Sequence, residues 1–156
     1  MTEAQIIEPL LDFIAAEGAS DDEFNALALQ IFTYQFENNA PYQRFCRQRE
    51  KTPRTVQSWR DIPAVPINGY KDLTLSCCAP EFAERIFMTS GTTKDGFRGK
   101  CHHPTLSVYD TSMITAFRQR FMQAHTKLRM GILFPTEQTM PNSSLAHYLA
   151  LALNEF

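Results

Sequence analysis

The chain has little that would commit it to a membrane, to export or to nucleic acid. No stretch approaches the ~20 consecutive apolar residues of a membrane-spanning helix. Its N-terminus carries Glu3 and Glu8 where a secretory signal would have a basic start and an apolar run. Fifteen basic against seventeen acidic residues leave a net charge of −2, which provides no electrostatic footprint for coating nucleic acid or an anionic membrane. Cysteine is scarce. Cys46, Cys77, Cys78 and Cys101 are irregularly spaced, two of them adjacent, and make a poor disulfide framework. There is no internal repeat and no low-complexity tract. These absences point to a soluble, cytoplasmic protein. What is present is ordinary globular material: 156 residues, 44% hydrophobic and 21% charged, enough for one domain with a real core.

The first third reads as helices. Ile6, Ile7, Leu10, Leu11 and Ile14 recur at helical spacing, with Thr2 and Gln5 as a capping pair and Gly18 as the stop. Ser20 and Glu23 form a stronger S-x-x-E box, and Asp21 and Asp22 favour the positive end of the helix dipole. Phe24, Leu27, Ala28 and Ile31 are the expected buried stripe of that second helix, and the alternating Phe32, Tyr34 and Phe36 are expected to pack in the core. Asn38 and Asn39 end it, and Pro41 opens a third helix carrying Tyr42, Phe45 and Cys46.

The pattern changes at Thr52-Pro53. Trp59 to Pro66 reads W-R-D-I-P-A-V-P, and its two prolines exclude a regular helix or a central strand. An ordered, extended connection is expected, because Ile62, Val65 and Ile67 are too apolar for a floppy linker. Ala83 to Met88 then reads as a strand, with Lys100 to His103 returning as the second strand of a hairpin across an Asp95-Gly96 turn. Pro104 and Thr105 start a helix bearing Val108, Met113, Ile114 and Phe117. Met130 to Phe134 reads as a short buried strand, and Ser143 or Ser144 caps a final helix over Leu145 to Leu153. Helices followed by strand, loop, strand, helix, strand, helix give an α/β reading. Its segments are a helical part at 1–51, a proline-containing connection at 52–82 and an α/β part at 83–156.

Thr89 to Gly96 is the stretch richest in chemistry. Glycine lets backbone approach a ligand, and successive N–H groups in such a loop form an anion-binding nest. Thr89, Ser90, Thr92 and Thr93 add hydroxyl donors, and Lys94 adds a positive charge; a plain polar hairpin loop is the competing reading. Gly91 and Gly96 have the G-x-x-x-x-G spacing of a Walker A loop, but Phe97 and Arg98 stand where that motif needs Lys and Ser or Thr. A kinase or GTPase of that type is therefore disfavoured.

F-M-T-S-G-T-T followed by a glycine-bearing turn resembles the phosphate loop of the adenylate-forming ligases. Asp61-Ile62-Pro63-Ala64-Val65-Pro66-Ile67-Asn68-Gly69-Tyr70-Lys71 before it, and Gly131-Ile132-Leu133-Phe134-Pro135 and Asn142-Ser143-Ser144-Leu145 after it, are similar in order to the acyl-protein synthetases of the bacterial luciferase fatty-acid reductase system. The resemblance implies the start of the large N-terminal domain of such an enzyme. It implies ATP and Mg²⁺ as cofactors, a fatty acid or related carboxylate as substrate, and a thiol as acceptor. A reductase or acyl-carrier protein is the implied partner. Thr89, Ser90, Gly91, Thr92, Thr93 and Lys94 would hold the phosphates, and Asn142, Ser143 and Ser144 would lie on the acyl side, where a helix cap is the competing reading. Lys94 replaces the family's usual glycine, and Gly99-Lys100 stands near where its x-P-K-G tail would end. The family's later motifs, including its ribose-binding Asp, catalytic lysine and acyl-carrying cysteine, have no counterpart in this chain. The 156 residues alone are therefore expected to show little or no adenylation, with the apolar helix ending at Phe156 calling for a further covering layer.

Two other readings compete: a binding or scaffold module of the same fold, and a zinc or thiol enzyme built on Cys77, Cys78, Cys101, His102 and His103. The second has the right residue types but not the spacing, since neighbours on a strand point to opposite faces, and no metal is expected. Tyr109-Asp110, Arg118 and Arg120 read as helix-surface residues.

Overall fold

The computed structural model describes residues 1–16, 18–89 and 98–156. These form six α-helices and one antiparallel two-stranded sheet, a mixed helix and sheet architecture. Helix α1 spans Ala4–Ala15, α2 Asp21–Asn38 and α3 Ala40–Arg47. Thr2 and Gln5 exchange reciprocal hydrogen bonds ahead of α1. At the start of α2, the Ser20 hydroxyl accepts from the Glu23 N–H at 3.2 Å and the Glu23 carboxylate accepts from the Ser20 N–H at 2.8 Å. The sequence box is thus a true capping box. Asn39 serves twice: it follows the end of α2, and its side chain accepts from the Tyr42 N–H to open α3, with Pro41 in the first turn.

The core is built by α2, α3 and the connection after them. Phe32, Phe36, Tyr42, Cys46 and Val56 form its centre, and Ile62 and Val65 pack against it. The connection contains a 3₁₀ turn at Trp59–Asp61 and is otherwise without regular structure up to α4, Gly69–Asp72. Its apolar residues are anchored as expected, except that Ile67 is exposed. The expected stripe on α2 also shifts: Leu27, Phe32 and Phe36 are its buried residues, whereas Phe24 is exposed. Phe24 packs instead in a surface aromatic row with Phe13 and Trp59, at ring separations of 6.1 and 5.3 Å.

Strands β1, Arg85–Met88, and β2, Lys100–His103, pair antiparallel with Met88 opposite Lys100. Helix α5, Ser107–Phe117, follows β2 and packs on α1 and on α6, Ser144–Glu155. Pro104 and Thr105 lie just ahead of α5, where Thr105 accepts from the Ser107 N–H and Glu84 accepts from the Leu106 N–H. A π-helical turn at Arg118–Met122 extends α5 and buries Met122. Phe117 stacks on Phe156 at 4.9 Å, while Leu145 and Leu153 on α6 stay exposed.

Met130 to Phe134 is not a strand, and Leu133 within it is fully exposed. A strand needs a ladder, and β1 has no free edge to offer at its C-terminal end. One side pairs with β2; on the other, the Met88 N–H donates to the Asn142 carbonyl at 2.8 Å. The Asn142 carbonyl takes that place at Met88, residues 130–134 run as irregular chain, and the described residues form a sheet of two strands.

Phe32 is 1% exposed and meets both Phe36 and Tyr42 edge to face, at 6.0 and 6.2 Å. Phe32→Ala should cost about 3–5 kcal/mol in denaturant unfolding, whereas Phe82→Ala, at a 76% exposed position, should fall within about 0.5 kcal/mol of the parent. Equal effects would mean that the core is not centred on α2 and α3.

Candidate functional site

Beyond β1 and β2, at the neck of the 89–98 loop, Thr89 and Gly99 are joined by one backbone and one side-chain hydrogen bond. The Thr89 N–H donates to the Gly99 carbonyl, and the Gly99 N–H donates to the Thr89 hydroxyl, both at 3.0 Å. Gly99 is buried, and a Cβ there would come within 3.2 Å of both Thr89 Cγ2 and Tyr70 Cβ. Glycine is what lets the returning strand lie this close to α4. Tyr70 belongs to the D-I-P stretch and Asn142 to the N-S-S-L stretch, so two of the distant motifs touch the ends of the loop from opposite sides.

Beside this neck is a cleft of about 610 Å³, lined by Thr89, Arg98, Asn142, Ser143 and Ser144 together with apolar Met88, Phe134 and Leu145. Of the expected phosphate-loop residues, Thr89 is on its wall; Ser90, Gly91, Thr92, Thr93 and Lys94 lie outside the described residues, as does the Asp95-Gly96 turn. All three expected acyl-side residues line the same cleft. Ser143 also has a local task, because its hydroxyl accepts from the Ala146 N–H at 3.2 Å and caps α6. The guanidinium of Arg98, the Asn142 amide and the serine hydroxyls are donor types that phosphate oxygens accept from. No carboxylate is on this wall among the described residues.

Behind the wall is a half-buried polar network, centred on one buried imidazole, that the sequence reading missed. His147, 6% exposed, faces Glu137 Oε1 through Nδ1 at 2.6 Å and Asp110 Oδ1 through Nε2 at 2.8 Å. Arg85 Nη1 donates to the same Glu137 oxygen at 2.8 Å and to the Pro141 carbonyl at 3.1 Å. The His147 hydrogen bond, helped by Arg85 and opposed by partial burial, holds the Glu137 carboxyl below the usual carboxylate range. Phe87 and Tyr109 pack against the imidazole at 5.5 and 5.6 Å. Asp110 and Tyr109 are thus inward-facing, contrary to their surface reading, while Arg118 does pair at the surface, with Glu155. The only hint in the sequence was helical spacing: Asp110 and His147 sit on two helices that pack together, with nothing local to link them.

The cysteine and histidine residues fall elsewhere. Cys77, Cys101, His102 and His103 line a second cleft, of about 420 Å³, against α1 and α2, and Cys78 is not on its wall. Among the described residues no group of three or more His, Cys, Asp or Glu is placed to hold a metal ion. Burial lowers the His103 imidazole and raises the Cys101 thiol. Burial also pushes the Cys77 thiol up, with Cys78 adding to it, to about 11. Nucleophilic cysteines are shifted the other way.

Comparison with protein-family models, curated proteins and solved structures gives no match. No helix among the described residues is long and apolar enough to cross a membrane.

The raised Cys77 thiol has a direct readout. Iodoacetamide at pH 8, followed by peptide mapping, should label Cys77 well below the rate of free cysteine, and the rate should climb as the pH approaches about 11. Labelling at pH 8 as fast as free cysteine would restore the thiol-enzyme reading.

Proposed function

We propose that this chain forms the phosphate-binding side of an ATP-dependent carboxylate-activating site of the acyl-protein synthetase kind. The observation that carries the reading is the convergence at the neck of the loop: Thr89 and Arg98, at its two ends, share one cleft with Asn142, Ser143 and Ser144. Thr89 and the 142–144 segment are far apart in sequence and were singled out by separate motifs; Arg98 is added by the structure. The finer fold assignment, the start of the large domain of an adenylate-forming ligase, rests on the same motifs in the same order.

In this reading a carboxylate oxygen attacks the α-phosphorus of ATP. The bond from that phosphorus to the bridging oxygen breaks, and the products are an acyl-adenylate and pyrophosphate. A thiol then attacks the acyl carbon and releases AMP. The work of the protein is positioning and stabilisation of charge on the departing phosphates. Arg98, with Ser90 to Lys94, would neutralise that charge, and the 142–144 wall would orient the acyl side. Mg²⁺, when bound with the nucleotide, neutralises phosphate charge further.

Isothermal titration with ATP–Mg²⁺ tests this. The parent should bind, and both Thr92→Ala/Thr93→Ala and Arg98→Gln should weaken binding about 10- to 100-fold, the usual effect of losing a hydrogen bond to a charged group, with unchanged circular dichroism. No binding by the parent, or equal affinity in the variants, would remove the nucleotide reading and leave a scaffold of this fold.

A further inference from the structure

We infer that Arg85, Asp110, Glu137 and His147 are positioning residues for the 137–144 wall of the cleft, acting as one latch. The inference rests on the proposed nucleotide site for its effect on binding, and on geometry alone for the latch.

Among the described residues the wall has few other restraints, one of them the Tyr109 hydroxyl, which donates to the Ser144 carbonyl at 3.0 Å. Residues 130–134 before it are irregular and contain a fully exposed leucine. Between Pro135 and Ser143 the backbone bonds are short-range turns, from Thr139 and Met140 to Thr136 and from Ser143 to Met140, plus the single long bond from the Met88 N–H to the Asn142 carbonyl. The side chains of the network tie this stretch to the rest of the fold. Arg85 reaches from β1 to both the Glu137 carboxylate and the Pro141 carbonyl. Those two contacts bracket the segment that delivers Asn142 to Met88. His147 fixes Glu137 from α6, and Asp110 fixes His147 from α5. Breaking any one link removes a restraint shared by β1, α5 and α6. The loss weighs most at His147, whose buried ring nitrogens are left desolvated and unpaired when a carboxylate partner goes.

The sign of the pH response follows from the groups that face the latch. Around His147 these are Arg85 from β1, His103 from β2, Tyr109 and Asp110 from α5, and Glu137 from the wall itself. With the Glu137 carboxyl held below its ordinary range, the Glu137 share of the latch is present above that range and is lost as the pH falls through the lowered value. Replacing Glu137 by glutamine removes this titration while keeping the shape of the side chain.

Hydrogen exchange of the full chain, read by mass spectrometry, tests the latch without any ligand. In Glu137→Gln and His147→Gln, peptides covering 85–89 and 136–145 should lose about 10-fold or more of their protection, while those of α2 and α3 keep theirs. In the parent, protection of 136–145, corrected for intrinsic exchange, should hold down to the ordinary carboxylate range and fall below it, before α2 and α3 loosen, and this fall should be absent in Glu137→Gln. Unchanged protection at 136–145, or loss spread equally over α2 and α3, would overturn the inference, and so would a pH response that survives in Glu137→Gln. Titration of the same variants with ATP–Mg²⁺ should show about 10-fold weaker binding, and undiminished affinity in a loosened wall would overturn the positioning role. Failure of the parent to bind ATP would overturn the nucleotide reading instead, while the exchange result still decides the latch.

Discussion

Burying an imidazole between two carboxylates constrains three parts of the chain at once. His147 cannot leave water without partners for its ring nitrogens, and it finds them on α5 and on the segment ahead of α6. Each carboxylate in turn needs a donor that stays in place. Glu137 has two, since Arg85 adds its guanidinium to the same oxygen. Removing one partner of such a set commonly costs several times what an exposed ion pair contributes. Half of the molecule is organised by this requirement: sheet, α5, α6 and the cleft wall all meet at one ring, with Phe87 and Tyr109 keeping water away from it.

The other half follows a simpler rule, apolar side chains on helices, and that half was legible in the sequence. The capping box at Ser20, the helix stop at Asn38 and Asn39 and the break at Thr52-Pro53 are local signals, and each produced the local structure it suggests; that Asn39 also caps α3 was not read. The hairpin was legible too, because β1 and β2 are near in sequence. Met130 to Phe134 shows where local reading fails. Its composition suits a buried strand, but whether a strand forms depends on a vacant sheet edge, and that edge is occupied by Asn142. Asp110 and His147 were illegible for a related reason. Their meaning lies in a contact between two helices more than 30 residues apart in sequence, and a single sequence carries no record of which helices touch.

The candidate cleft lies between these extremes. Its residues were marked by motif, and their meeting place was set by packing. Gly99 decides how closely the loop's return can approach Tyr70, and the Met88–Asn142 bond decides where the serine-bearing wall begins. Neither is a side-chain contact to a ligand. Both are backbone approaches, set by a missing side chain at Gly99 and by a main-chain carbonyl at Asn142.

The packing of α1 on α5 also sets a timetable for synthesis. These helices lie roughly 90 residues apart along the chain, which a ribosome covers in on the order of 5 to 20 s. During that interval the apolar side of α1, with Ile6 at its centre, has α2 as a neighbour but lacks its main partner. The α2–α3 core has no such wait, because its members are near one another in sequence and helical contacts of short range form quickly. Birth order in the cell thus runs from that core outward, with the first helix emerging early and docking late.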